Sequence, residues 1–194
     1  TTVYNGAETV YNEVNAAGGI HGRKIRYVRE DDACKPEQAV PAVKKLIFDQ
    51  KVFMIHGGAC SNASLAAMPD IVKAQIPWVI TASTAAQLTD PVNPRIYTTM
   101  LAGWMETAGQ LQRLIDTGAK KIAIVRQRDA WAEGRYKPLL ESFAQSGRKP
   151  ALDEEVSADP ADATAVALKL QAAGVDGIVA VLFPKAATVL IRDM

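Results

Sequence analysis

The stretch VFMIHGGACSNASLAAMPDIVKAQIPWVITAST, residues 52–84, decides the fold. It opens on a short apolar run, 52–55, which is strand-length and bounded by glycine. A small, polar loop follows, HGGACS at 56–61. Residues 62–73 then carry Leu65, Ala66, Ile71 and Val72 at helical positions, with Pro69 as a disturbance. Trp78, Val79 and Ile80 make a second apolar strand, and a second small loop, TASTAA, comes after it. Strand, helix and strand in this order predict a βαβ unit, whose two strands lie parallel in one sheet.

Working outward, the same rhythm continues in both directions. Residues 4–17 place Val10, Val14 and Ala17 at helical spacing, and Gly18-Gly19 stops that helix. The run KIRYVR, 24–29, alternates apolar and polar and predicts a strand. Residues 36–49 read as a helix with Ala39, Val43, Leu46 and Ile47 on one face. Pro36 suits its first turn, whereas Pro41 predicts a late start or a kink. On the other side a short strand is expected at 96–98 and a helix at 105–117, ended by Gly118. Strands at 121–125, 151–156 and 177–182 then alternate with helices at 132–145 and 160–173, the second capped by Asp159. Pro184 opens a last helix. The expected fold is a doubly wound α/β fold with parallel sheets, divided near Gly118 into 1–118 and 119–194. A chain that opens directly into a helix and stops inside one reads as incomplete at both ends.

Composition excludes several roles. The 194 residues carry 22 Lys and Arg against 21 Asp and Glu, so the basic surface of a nucleic-acid binder is not expected. No apolar run reaches the roughly 20 residues of a membrane helix. Thr1 is not followed by a signal-peptide pattern, which a mature exported chain would have lost. Cys34 and Cys60 are compatible with a disulfide, two buried thiols or one reactive thiol. No Cys–His cluster of zinc-site spacing is present.

In open α/β sheets, ligands sit beyond the carboxyl ends of the strands, so the loops after the strands are the candidate sites. The loop ending in Ala59-Cys60-Ser61 leads into a helix N-terminus, where free N–H groups and the helix dipole favour an anion. Ser61 there is either a plain N-cap or a hydroxyl donor to a ligand. The loop 81–84 offers small residues for close approach and hydroxyls on Thr81, Ser83 and Thr84. Trp131 and Phe183 lie just past strand ends, as lid aromatics or as ordinary packing. Asp31-Asp32 read as turn and cap acids before a metal pair. Gly18–Gly22 falls between helix and strand, the wrong order for a dinucleotide fingerprint, and Gly57-Gly58 lacks the rest of a phosphate loop. His21 and His56 belong to no catalytic set. An enzyme is therefore not expected, nor a cofactor or a metal.

Five segments resemble one family. NEVNAAGGIHGRKIRYVREDDACKPEQAV (12–40), GGACSNAS (57–64) and IPWVITASTAAQLT (76–89) resemble the amino-terminal lobe of the leucine/isoleucine/valine-binding periplasmic solute-binding proteins. KKIAIVRQRDAWAEG (120–134) and GVDGIVAVLF (174–183) resemble the opposing lobe more loosely. The resemblance implies two α/β lobes around a ligand cleft, a Cys34–Cys60 disulfide, and a monomer exported to the periplasm. It also implies delivery of the bound solute to a membrane ABC transporter. Ser61, Ala82 and Thr84 fall on positions that hold the ligand's carboxylate and ammonium, in the same loops as Ala59 and Cys60. Trp131 and Phe183 fall where the family usually has tyrosines.

The departures shape the expected ligand. The family's first strand precedes Thr1, and its ammonium-reading acid falls beyond Met194. Trp131 and Phe183 lack the tyrosine hydroxyl, and Trp104 stands in a usually polar segment near the hinge. The expectation is a hydrophobic or branched-chain amino acid or a related small carboxylate. An aromatic carboxylate, or a ligand-sensing domain of a signalling receptor, is the alternative.

Overall fold

A computed structural model describes residues 2–101 and 103–194, with Thr2, Val3 and Trp104 by backbone alone. The Trp104 side chain expected near the hinge thus lies outside the described residues. The chain begins with helix α1 (Thr2–Ala16) and passes through Gly18 and Gly19, both at positive φ. Helix α2 (Pro36–Lys44) starts at its first proline, without the expected delay, and Lys45–Asp49 continue it as a π-helical turn. Pro41 sits inside α2, and the irregularity appears downstream of it.

Strand β1 (Ile55–His56), helix α3 (Ser61–Ala74), strand β2 (Trp78–Ile80) and strand β3 (Ile96–Thr98) follow. The three strands form a parallel sheet in the order β1-β2-β3, with Ile55 opposite Trp78 and Trp78 opposite Ile96. A short 3-10 turn, Ala86–Leu88, lies between β2 and β3. Helices α2 and α3 pack together, and Ala39, Val43, Ala63, Ala67, Ile71, Trp78 and Ile80 bury a common core.

The alternating run 24–29 is not a sheet strand. Among the described residues it has no ladder partner. The Asn15 side chain takes both backbone groups of Ile25, accepting from its N–H at 2.7 Å and donating to its carbonyl at 2.8 Å. Alternation reports a half-buried extended chain, and ladder pairing is a separate matter.

After helix α4 (Gly103–Asp116) come strand β4 (Ile122–Gln127), helix α5 (Ala130–Gln145), strand β5 (Leu152–Val156), helix α6 (Thr164–Ala172), strand β6 (Gly177–Val181) and helix α7 (Pro184–Asp193). The second sheet is parallel with β4 in the middle, in the order β5-β4-β6. Along β4, Ile122 and Ile124 face a core shared with Leu111, Leu139 and Phe143, while Ala123 and Val125 face one shared with Val166, Leu170 and Leu190. A central parallel strand buried on both faces is what doubly wound sheets require. Helix α4 packs against α5 and β6 and so serves the second sheet.

Helix α6 starts later than the sequence pattern predicts. Asp159 is not its cap. Asp162 Oδ1 accepts from Thr164 N at 2.7 Å, and Ala163 N donates to Asp193 on α7 at 2.7 Å. The side chain of Asp159 is drawn off by Lys185.

Candidate functional site

The loop after β1 is shaped by two glycines. Gly58 stands at φ +96°, and a Cβ there would lie 2.9 Å from Ser64 Oγ and 3.0 Å from a Trp78 ring carbon. Its carbonyl accepts from Ala82 N at 3.1 Å and from Ser83 N at 3.0 Å, tying this loop to the one after β2. Trp78 Nε1 donates to the Gly57 carbonyl at 3.0 Å. Ser64 and Ser83 hydroxyls meet at 2.6 Å beneath both loops. Such interior polar pairing gives two adjacent loops one geometry.

Cys60 is the N-cap residue of α3 and makes no side-chain cap bond. Ser61 is therefore the first helical residue and is not the cap. It is 2% exposed, and its Oγ accepts a long 3.4 Å bond from Thr84 N. That bond leaves the Ser61 hydroxyl hydrogen for another acceptor. Among the described residues, buried Thr84 Oγ1 has no hydrogen-bond partner. Buried hydroxyls are normally paired, so this one, beside a helix N-terminus, is a candidate contact for a ligand atom. Ala59 is exposed and Ala82 half-buried at the rim of this arrangement.

Cys34 and Cys60 form a disulfide with Cα atoms 5.3 Å apart. It ties the start of α3 to the turn ahead of α2. Asp31 and Asp32 build that turn, each accepting from the N–H two residues on at 2.9 Å. Among the described residues no cluster of three or more His, Cys, Asp or Glu is arranged to hold a metal.

On the second sheet, the strand order reverses at β4, so the loops after β4 and β6 flank a topological switch point. Trp131 and Phe183 stand there, stacked with centroids 4.4 Å apart and planes 27° apart. Asp129 caps α5 through Ala132 N at 2.8 Å. Buried Gln127 accepts from Phe183 N at 2.7 Å and donates to Asp129, joining the two loops. Asn62 Oδ1, one residue past Ser61, accepts from Ala130 N, one residue before Trp131, at 3.0 Å. The two loop systems therefore face each other, joined by this hydrogen bond. A cavity of about 230 Å³ runs beside Thr84, lined among others by Ala85, Met100, Leu101 and Gly134.

The structure thus brings together Cys60, Ser61, Ala82 and Thr84 on one side and Trp131 with Phe183 on the other. Asn62, Gln127, Glu106 and Arg135 escape sequence reading. Arg135 stands four residues after Trp131 on one helix, the spacing at which side chains meet, and that was its available signal.

The sequence profile of a family described as periplasmic binding protein matches residues 1–194. The chain belongs to the periplasmic binding protein family. Among members, the amino acid binding protein of Pseudomonas aeruginosa is 29% identical over 182 residues, covering 89% of this chain and 46% of that relative. The Leu/Ile/Val-binding protein of Escherichia coli is 27% identical over 174 residues, covering 89% and 47%. The isoleucine complex of a branched-chain amino acid transporter substrate binding protein from Streptococcus pneumoniae superposes with a TM-score of 0.78 at 26% identity, over 90% of this chain and 50% of that one. An ABC transporter solute binding protein from Rhodopseudomonas palustris, in complex with 3,4-dihydroxybenzoic acid, shares the fold with a TM-score of 0.84 at 21% identity, over 97% and 52%. The chain spans about half the length of these relatives.

Proposed function

We propose that the protein is the solute-binding receptor of an ABC transporter and works in the periplasm or another extracytoplasmic space. Its ligand is a hydrophobic amino acid or a related small carboxylate, held between the two sheets by closure. It binds without catalysis or cofactor, acts as a monomer, and hands its ligand to a membrane permease. No helix among the described residues is long and apolar enough to cross a membrane.

The observation that carries this reading is the Asn62–Ala130 hydrogen bond, which sets a helix N-terminus lined by hydroxyls against a pair of stacked aromatics. The first half suits a carboxylate: Ser61 donates its hydroxyl and Thr84 its own, and the α3 dipole adds to them; Ala82, whose N–H is held by the Gly58 carbonyl, offers its backbone carbonyl to an ammonium. Ala59 and Cys60 carry the rim. The second half supplies apolar cover through Trp131 and Phe183. A ligand touching both halves favours the closed form over the open one by the contacts it makes only when they meet. We place the passage between lobes after β3 and ahead of Gly103, because α4 packs on the second sheet; the sequence reading puts it at Gly118.

The stacked, hydroxyl-free Trp131 and Phe183 also favour a second ligand class, an aromatic carboxylate. Isothermal titration with isoleucine and with 4-hydroxybenzoate separates the classes. Binding of either one, weakened by Ser61→Ala, supports the receptor reading. Absence of heat for both, in a folded protein, rejects this choice of ligands.

A further inference from the structure

The buried cation of the second lobe has no part in the site as described so far. Arg135 is 2% exposed on α5. Its Nη2 and Nε donate to Glu106 Oε2 on α4, at 2.7 and 3.3 Å. Its Nη1 donates to the Trp131 carbonyl at 3.2 Å, and its guanidinium carbon lies 4.1 Å from the centre of the Trp131 ring. Gly103, the first residue of α4, makes this possible. A Cβ at Gly103 would fall 2.5 Å from the guanidinium carbon and 2.6 Å from Nη1.

A buried guanidinium costs a great deal to desolvate and is retained where its fixed fork does something a hydrophobe would not. Here the fork holds three things at once: the carboxylate of α4, the backbone of the first turn of α5, and the face of an indole. The indole is also stacked on Phe183. A ring held by a planar cation and an aromatic partner has lost its rotamer freedom before a ligand arrives, and binding no longer bears that ordering cost.

We propose that Arg135 is a positioning residue that sets the Trp131 ring for the ligand, with Glu106 orienting Arg135 and Gly103 leaving it room. The proposal rests on Trp131 facing the ligand. It links the start of α4, which follows the passage between the sheets, to the aromatic cover of the cleft. Lysine cannot replace Arg135 here, because an ammonium keeps the ion pair and loses the stacked plane and the bond to the Trp131 carbonyl.

Two measurements test it together. The first is the Trp131 indole N–H resonance in the unliganded protein, assigned by its loss in Trp131→Phe. It shifts or broadens in Arg135→Met and Arg135→Lys and stays put in Ser61→Ala. An unmoved resonance in both Arg135 variants, with near-UV circular dichroism showing them folded, overturns the proposal whether or not any ligand binds. The second is titration with isoleucine and 4-hydroxybenzoate. Arg135→Met weakens whichever probe binds by roughly three- to tenfold, Arg135→Lys does not rescue it, and the loss disappears when Trp131→Ala is already present. Additive losses in the double variant would mean that Arg135 acts independently of Trp131. Failure of the wild type to bind either probe counts against the ligand choice alone, and the resonance still decides the role of Arg135.

Discussion

Asn62 Oδ1 accepts a hydrogen bond from Ala130 N at 3.0 Å, so a side chain in the first turn of α3 satisfies a free amide in the first turn of α5. The first amides of any helix have no partner within it. Asp129 serves Ala132 N from the same loop, whereas Ala130 N is served from α3, which packs on the first sheet's core. In the open form of the proposed receptor that amide would return to water, so in that scheme the bond favours closure.

Asn62→Ala removes this bond without touching the proposed ligand contacts. Affinity should fall by about 0.5–1.5 kcal/mol, with the unliganded radius of gyration rising in small-angle scattering. An unchanged affinity together with unchanged scattering would mean that the bond does not bias closure.

Ser61→Ala deletes a hydroxyl that is buried beside the α3 N-terminus. A carboxylate ligand should lose one charge-assisted hydrogen bond, about 1.5–3 kcal/mol by titration calorimetry. The melting temperature should move little, because Ser61 does not cap the helix and its bond from Thr84 N is long, 3.4 Å.

Gly58→Ala should destabilise the protein by about 1–3 kcal/mol in urea unfolding. The residue stands at φ +96°, and its Cβ would press on Trp78 and Ser64. A neutral effect would show that the two loops give way easily.

The Cys34–Cys60 disulfide spans 26 residues. In the chain-entropy account its loss costs about 3–4 kcal/mol, read as a lower urea midpoint in the doubly Ser-substituted protein. Carboxylate affinity should fall as well, because the disulfide holds the residue that precedes Ser61.

Asp176 ties the start of β6 to the start of β4 through the backbone N–H groups of Lys120 and Lys121, at 3.0 and 2.8 Å. These bonds hold its pKa below the ordinary aspartate value. A depressed folded pKa adds stability above the unfolded value, about 3.9, and that stability is lost as pH falls through the folded value. Asp176→Asn should therefore melt lower than wild type at neutral pH, with the gap closing in acid. A gap that is constant with pH would assign the effect to something other than the carboxylate.

Much of this architecture was legible in order and type. Strands 78–80 and 96–98 and the glycine stops are local features, and the two small loops followed from their place after strands. The β4 run reads as buried because apolar residues fill both of its faces. What was illegible was tertiary. Residues 24–29 alternate as a strand would, and only the fold shows Asn15 occupying the groups a ladder would use. Asp159 has the spacing of a cap but is drawn to Lys185. Ser61 looks like a cap, yet the helix begins on it and its oxygen faces the next loop. The stacking of Trp131 on Phe183 joins residues 52 positions apart in sequence, and no local pattern reports such a meeting.

The central claim is that a small carboxylate bridges the α3 N-terminus and the Trp131–Phe183 pair. A thermal-shift screen of the wild type, Ser61→Ala and Trp131→Ala against aliphatic amino acids and aromatic acids tests it most directly, since a ligand of the folded state raises the melting temperature. The account predicts that at least one carboxylate stabilises the wild type and that both substitutions shrink the shift. A ligand that stabilises all three proteins equally would contradict it.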